Sequence, residues 1–251
     1  FEKAFDSVSW NFMLRTLDKF GFGPTFISLV KTMYTDIESC IINAGWKSAY
    51  FKLQRGIRQG CPLSALLFNL VVETLAAKIR QTDTIKGIKV ENEEIKISQV
   101  ADDTTLFLAN EEAIRIALKT VNDFCLVAGP KLNVGKCEAT WIGSYSDRID
   151  KPCGINWPQT PIKSLGLYYS REEKNCESLN WEESLEKIEN LFRVWRRRRL
   201  TLYGKILIIK SLGISQIVYK MSSISTPPWV LKRIEKACFC FLWDGKPDKI
   251  K

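Results

Sequence analysis

The spacing of apolar positions changes several times along the chain, and each change marks an element. Trp10, Met13, Leu14, Leu17 and Phe20 recur at helical spacing behind Ser9, a residue able to cap a helix. Gly21 and Gly23 end that helix, and Pro24 opens another with Phe26, Leu29, Val30 and Met33 on one face. Two β-rich runs, 39–42 and 46–53, flank Asn43-Ala44-Gly45 and predict a hairpin. Pro62 then starts a helix over 63–80 whose buried face is Leu63, Leu66, Leu67, Leu70, Val71 and Leu75. Ile95-Lys96-Ile97 and Leu106-Phe107-Leu108 alternate on either side of Val100-Ala101-Asp102-Asp103, the pattern of two strands joined by a tight acidic turn. Glu111 and Glu112 suit the start of a helix carrying Ile114, Leu118, Val121 and Phe124, which stops at Gly129-Pro130.

The remaining segments are less regular. Residues 1–8 read as a short strand, 131–142 as a loop and strand, 144–161 as an irregular connector and 162–169 as another short strand, with a boundary after it. Asn180 can cap a helix, with Glu183 three residues on. That helix runs through Leu185, Ile188, Leu191, Phe192 and Trp195 into Arg196, Arg197, Arg198 and Arg199. Apolar helical segments continue over 200–219 and, after Pro227-Pro228, over 229–243. Strands first and helices last make the fold class α+β. Leu14, Leu17, Leu66, Leu70, Ile97, Leu106, Leu118 and Val121 are the core candidates.

Composition adds constraints. Hydrophobic residues at 45% and charged residues at 26% exclude a disordered or fibrous chain. The net charge of +9 is uneven, since residues 181–251 hold 15 Lys and Arg against 7 Asp and Glu. A basic end points to a polyanion, nucleic acid before a membrane surface. Four consecutive arginines repel one another, so a phosphate partner is attractive, although a solvated helix end also accounts for them. Eight cysteines without a CxxC pair, and no histidine, argue against structural zinc and against any histidine base. Free thiols, no apolar run of membrane-spanning length and no signal peptide fit an intracellular, non-secreted protein with no membrane partner. The chain begins at Phe1 rather than Met, as a fragment would.

Two stretches carry candidate chemistry. Adjacent Asp102 and Asp103 are tolerated when solvated or when they hold a cation, for which Mg2+ is the hard, oxygen-seeking choice; taken alone, an exposed Asp-Asp turn is the more ordinary account of them. Residues 55–60, Arg-Gly-Ile-Arg-Gln-Gly, place two glycines and two arginines before a helix start. They suit an anion-binding corner or an ordinary basic loop.

Taken in order, residues 1–6 (FEKAFD), 55–64 (RGIRQGCPLS), 101–103 (ADD), 131–136 (KLNVGK) and 163–167 (KSLGL) resemble the successive palm motifs of reverse transcriptases. The closest likeness is to those of LINE-type, non-long-terminal-repeat retrotransposons. The segments 200–206 and 241–246 resemble the stretch after the palm in such elements, whereas 1–6 and 55–64 look less like group II intron maturases. The resemblance implies a palm-like antiparallel sheet built from 1–8, the central hairpin and flanking strands, backed by helices 10–20 and 63–80. It divides the chain into a palm over 1–143, a connector and primer-grip strand over 144–180, and a basic helical thumb-like region over 181–251.

It also implies roles. Asp102 and Asp103 would hold two Mg2+ ions; Arg58, Gln59 and Gly60 would line the nucleotide and template pocket; Phe5 would lie under the sugar and exclude a 2′-hydroxyl. Lys136 would protonate the departing pyrophosphate; Leu165, Gly166 and Leu167 would grip the primer end; Arg196, Arg197, Arg198 and Arg199 would meet the duplex. Partners would be an RNA template, a DNA primer and deoxynucleoside triphosphates, with a nuclear location. In the family the first motif is an Asp, three variable residues, then Ala, an aromatic and Asp. Ala4, Phe5 and Asp6 fill its second half, so the leading metal-binding Asp falls immediately before Phe1. Asp6 is not that residue and takes a structural role near the first helix. The resemblance therefore implies an RNA-directed DNA polymerase whose residues 1–251 alone are inactive. The alternative is a catalytically dead remnant that binds RNA or an RNA-DNA duplex through its basic helices.

Overall fold

A computed structural model of the chain describes residues 1–170 and 173–245. They form two compact units, one of residues 1–138 and 150–156, the other of residues 139–149 and 157 onward. Lys246, the last residue of the 241–246 motif, lies outside the described residues.

In the first unit α1 (Ala4–Ser7), α2 (Trp10–Lys19) and α3 (Pro24–Met33) come first. Two ribbon pairs come next: β1 (Glu38–Ser39) with β4 (Phe51–Lys52), and β2 (Ile42–Asn43) with β3 (Trp46–Lys47). Then come the long α4 (Pro62–Gln81), β5 (Ile88–Val90) paired with β6 (Glu93–Ile95), β7 (Ile97–Val100) paired with β8 (Asp103–Leu106), and α5 (Glu111–Ala128). α4 is the central element: its buried Leu67, Phe68, Val71, Leu75 and Ile79 pack with Met13 and Leu17 of α2 and with Val121 and Phe124 of α5. Ser9 caps α2 by accepting from the Phe12 N–H, and Asn110 caps α5 by accepting from the Ala113 N–H. At the far end of α4 the buried Lys96 ammonium donates to the carbonyls of Arg80 and Thr82, both 3.1 Å away, where helix C-termini favour a cation.

The second unit holds the hairpin β9 (Ile162–Ser164) and β10 (Leu167–Tyr169), then α6 (Glu173–Arg196), α7 (Leu202–Ile208), a π-helical stretch (Ile209–Ile214), α8 (Ser215–Ser223) and α9 (Pro228–Leu242). Its core is Trp181, Leu185, Ile188, Phe192, Ile217, Val230 and Phe241, with the Phe192 and Phe241 rings stacked 4.8 Å apart.

The α+β class holds, and every strand pair among the described residues is antiparallel. Several expectations do not hold. Residues 1–8 are not a strand: Glu2 makes a lone bridge to Lys131 and α1 comes directly after, because the carbonyls of Phe5 and Val8 are taken by loop 55–60 rather than by a neighbouring strand. Among the described residues the strands form five two-stranded pairs, not one continuous sheet. Residues 131–142 contain a 3-10 turn (Val134–Lys136) in place of a strand. α6 begins at Glu173, so Asn180 lies inside the helix and does not cap it. Leu66 is 61% exposed, on the outer face of α4, where Phe68 takes the buried place. By length and composition α4 and the 202–223 stretch could each span a membrane, contrary to expectation, and α4 is the core helix of the first unit.

Candidate functional site

Residues 4–6 and the loop 55–60 are locked together by their backbones. The Gly56 N–H donates to the Val8 carbonyl (2.8 Å), the Ile57 N–H to the Phe5 carbonyl (2.7 Å), and the Trp10 indole to the Gly56 carbonyl (2.7 Å). Gly56 has φ +94°, and a Cβ there would lie 2.7 Å from the Asp6 carbonyl oxygen, so only glycine permits the approach. Ile57 is buried beneath the loop, which leaves Arg58, Gln59 and Gly60 on its outer side. The Gln59 amide donates to the Asp6 carboxylate at 3.3 Å. Phe5 stacks on Phe68 of α4, ring centres 4.2 Å apart and planes 16° from parallel.

The acidic pair stands at the end of the β7–β8 hairpin. Val100 pairs with Asp103, which leaves Ala101 and Asp102 as the turn; Ala101 takes φ +53°, in the left-handed region. Both aspartates are exposed. The hairpin is seated by Ile97 and Leu106, which pack on the same core as Phe5, and β7 lies along α4. Phe5, Asp6 and Gln59 therefore touch directly or through one another, and what ties the aspartates to them is the shared helix. Among the described residues no group of three or more Asp, Glu, Cys or His side chains is arranged to hold a metal. The pair supplies hard carboxylate oxygens of the type Mg2+ takes, and falls short in number.

Lys136 ends the 3-10 turn, its N–H bonded to Asn133 and its side chain exposed. In the second unit, Leu165 and Gly166 form the β9–β10 turn with φ +49° and +79°. Of the four arginines, Arg196 donates to the Cys240 carbonyl at 2.6 Å, and Arg198 lies 4.8 Å from the centre of the Trp195 ring.

Sequence reasoning missed several supporting groups. The partner of Asp6 is 53 residues away, and nothing local announces it. Cys61 precedes α4, and the N–H groups at that helix start, Leu63 first, hold its thiol below the ordinary cysteine pKa, with Arg58 contributing. Tyr34 is buried nearby, and burial raises its phenol pKa. In the second unit the Tyr219 hydroxyl donates to the Leu165 carbonyl at 2.7 Å. Asn180 mimics a strand edge: its Oδ1 accepts from the Tyr168 N–H and its Nδ2 donates to the Tyr168 carbonyl.

Comparison with known proteins bears on this arrangement. The family model described as reverse transcriptase (RNA-dependent DNA polymerase) matches residues 1–169. The chain is 31% identical over 250 residues, 98% of its length, to the transposon TX1 uncharacterized 149 kDa protein of Xenopus laevis, of which it covers 19%. It is 36% identical over 135 residues, 54% of its length, to the retrovirus-related Pol polyprotein from type-2 retrotransposable element R2DM of Drosophila melanogaster, of which the match covers 12%. A retrovirus-related Pol polyprotein from a type-1 retrotransposable element R2 of Popillia japonica is 31% identical over 135 residues, 53% of this chain and 19% of that protein. The chain thus spans a fifth or less of the length of these relatives. With that family model covering the segments that carry Phe5, Gln59 and the Asp102-Asp103 turn, the chain belongs to the reverse transcriptase (RNA-dependent DNA polymerase) family.

Proposed function

We propose that the chain is the catalytic core of an RNA-directed DNA polymerase of a non-long-terminal-repeat retrotransposon, extending a DNA primer with deoxynucleoside triphosphates on an RNA template. The observation that carries this reading is the backbone lock between residues 4–6 and loop 55–60, set on the same helix that seats the Asp102-Asp103 hairpin. In it residues 1–143 are the palm, 144–180 the connector with the primer grip, and 181–251 the thumb-like region.

Asp102 and Asp103 would hold Mg2+, which, once bound, lowers the pKa of the primer 3′-hydroxyl and offsets charge on the triphosphate. The chain's own residues do the rest. Phe5, fixed flat against Phe68, limits space at the sugar. Gln59, held by Asp6, and Arg58 with Gly60 line the nucleotide and template pocket. Lys136 gives a proton to pyrophosphate, Leu165, Gly166 and Leu167 grip the primer end, and Arg196 to Arg199 meet duplex phosphates.

The test is magnesium-dependent primer extension by a chain carrying an aspartate before Phe1 together with the family's preceding segment. Incorporation that Asp102→Asn abolishes supports the reading; no incorporation, or incorporation indifferent to Asp102→Asn, overturns it. The excess of 15 Lys and Arg over 7 Asp and Glu in residues 181–251 motivates a second reading, a non-catalytic remnant that binds RNA or hybrid duplex through that region. There binding falls steeply with salt and survives Asp102→Asn, while extension stays absent in every form of the chain.

A further inference from the structure

Between α3 and the loop that carries Gln59, the chain forms a ribbon whose outer surface is aromatic and basic at once. β1 pairs with β4 and β2 with β3, Ala44 and Gly45 turn the end with φ +47° and +85°, and the Leu53 N–H closes the base on the Ile37 carbonyl. Trp46 is 83% exposed, Ile42 70% and Tyr50 59%. The Lys47 ammonium lies 4.3 Å from the centre of the Tyr50 ring and also meets its hydroxyl, so cation and ring share one surface. Lys52 comes next, and its ion pair with Asp36, 3.6 Å long, is solvent-exposed at both ends. Arg55 and Arg58 then lead into Gln59, while Glu38 is the acid within residues 38–58.

Rings this exposed contribute little to the core. A protein partner is a poor match, because the centres of protein interfaces are depleted of charged residues, and here the Lys47 ammonium lies over the Tyr50 ring. A second copy would set Lys47, Lys52 and Arg55 of both chains against each other. Single-stranded nucleic acid matches both features: base faces stack on the rings and phosphates meet the cations. A duplex hides its base faces and cannot use the rings. The ribbon also continues in sequence into the loop proposed to receive template and nucleotide. We propose that the 38–52 ribbon is a stacking platform for single-stranded RNA, the template approaching the Gln59 loop. The identity of the strand rests on the polymerase reading; the preference for single strands does not.

The test uses the 251-residue chain and an unstructured 5-iodouridine-substituted oligouridylate of roughly a dozen nucleotides. Photo-crosslinks map to the ribbon peptide, and Trp46→Ala weakens binding by about 5- to 100-fold while Trp46→Phe keeps most of it. Lys47→Ala lowers the salt slope by about one without removing the crosslink. Duplex binding is unchanged in each variant. Absence of single-strand binding, crosslinks only outside the ribbon, a Trp46→Ala effect equal on duplex, or a dimer that Trp46→Ala dissociates would each overturn the proposal. Asp102→Asn leaves this binding intact. Failure of extension with ribbon binding retained therefore sinks the polymerase reading alone, and extension with Trp46→Ala binding undiminished sinks the platform alone.

Discussion

The two units place their polar groups differently. In the first, neutral backbone groups do the positioning around the candidate site: residues 4–9 are held by the N–H groups of Gly56 and Ile57 and by the Ala128 carbonyl, the charged candidates Asp102, Asp103 and Arg58 face outward, and Lys96 at the end of α4 is a buried cation. In the second, several positive charges tie helices together. The Lys205 ammonium donates to the Leu242 carbonyl and the Asp244 carboxylate, Lys220 to the Asn180 carbonyl and Ser184 hydroxyl, and Arg233 to Glu182 and Glu189. A residue count of basic character thus overstates what a partner meets, because three of those cations hold the helices together.

The largest expected effect breaks the first unit's backbone lock. Gly129 has φ +102°, and a Cβ there would run into the Ser7 carbonyl and come within 3.1 Å of the Ser9 nitrogen. Both neighbours are backbone, and the Ser9 N–H is already bonded to the Ala128 carbonyl, so relief needs the main chain to shift. Gly129→Ala should cost about 3 kcal/mol or more, against roughly 1 kcal/mol for Gly21→Ala, where φ is +81° but nothing lies within 4 Å. Urea unfolding of the two variants measures the difference. Equal costs would mean that left-handed φ, and not the close approach, accounts for the glycine.

That lock also marks how far sequence reading reaches. Loop 55–60 was legible because glycine, arginine and the proline just after them act locally. The α2 cap, the acidic start of α5 and the acidic hairpin were legible for the same reason, their signals lying within a few residues, whereas the Asn110 cap of α5 went unread. Residues 1–8 were not, because alternation over eight residues cannot report that their carbonyls bond to a loop some fifty residues on. Asn180 reads as a cap by type, yet its amide serves Tyr168, an assignment only tertiary structure makes. The role given to Asp6 was structural, but its partner Gln59 had no local sign.

An intermediate effect tests the inward charges of the second unit. Arg233→Met leaves the Glu182 and Glu189 carboxylates without their guanidinium. With the three side chains 31% to 43% exposed, solvent screening limits the cost to about 1–2 kcal/mol at neutral pH. The guanidinium hydrogen bonds hold the Glu189 carboxyl below its ordinary pKa. A depressed carboxylate stabilises the fold above its unfolded pKa and ceases to do so as pH falls through the folded one. Urea unfolding repeated from neutral pH down through the carboxylate range should show the gap between wild type and Arg233→Met closing on acidification. A gap independent of pH would assign the loss to packing of the arginine stem.

The smallest effect lies at the hairpin tip, where the first unit does carry local strain. Ala101 holds φ +53° without a glycine's freedom, beside two acids that gain nothing from being buried. Ala101→Gly removes the Cβ clash but adds backbone entropy to the unfolded chain, so the net gain is about 0.5 kcal/mol, or about 1–2 °C in the melting of the first unit. A loss of similar size would show that the turn accommodates alanine without cost and that register is set by Ile97 and Leu106 packing alone. A gain accompanied by weaker Mg2+-dependent extension in the restored chain would show that the strained turn aims the aspartates, so that the stability given up at Ala101 serves the chemistry next to it.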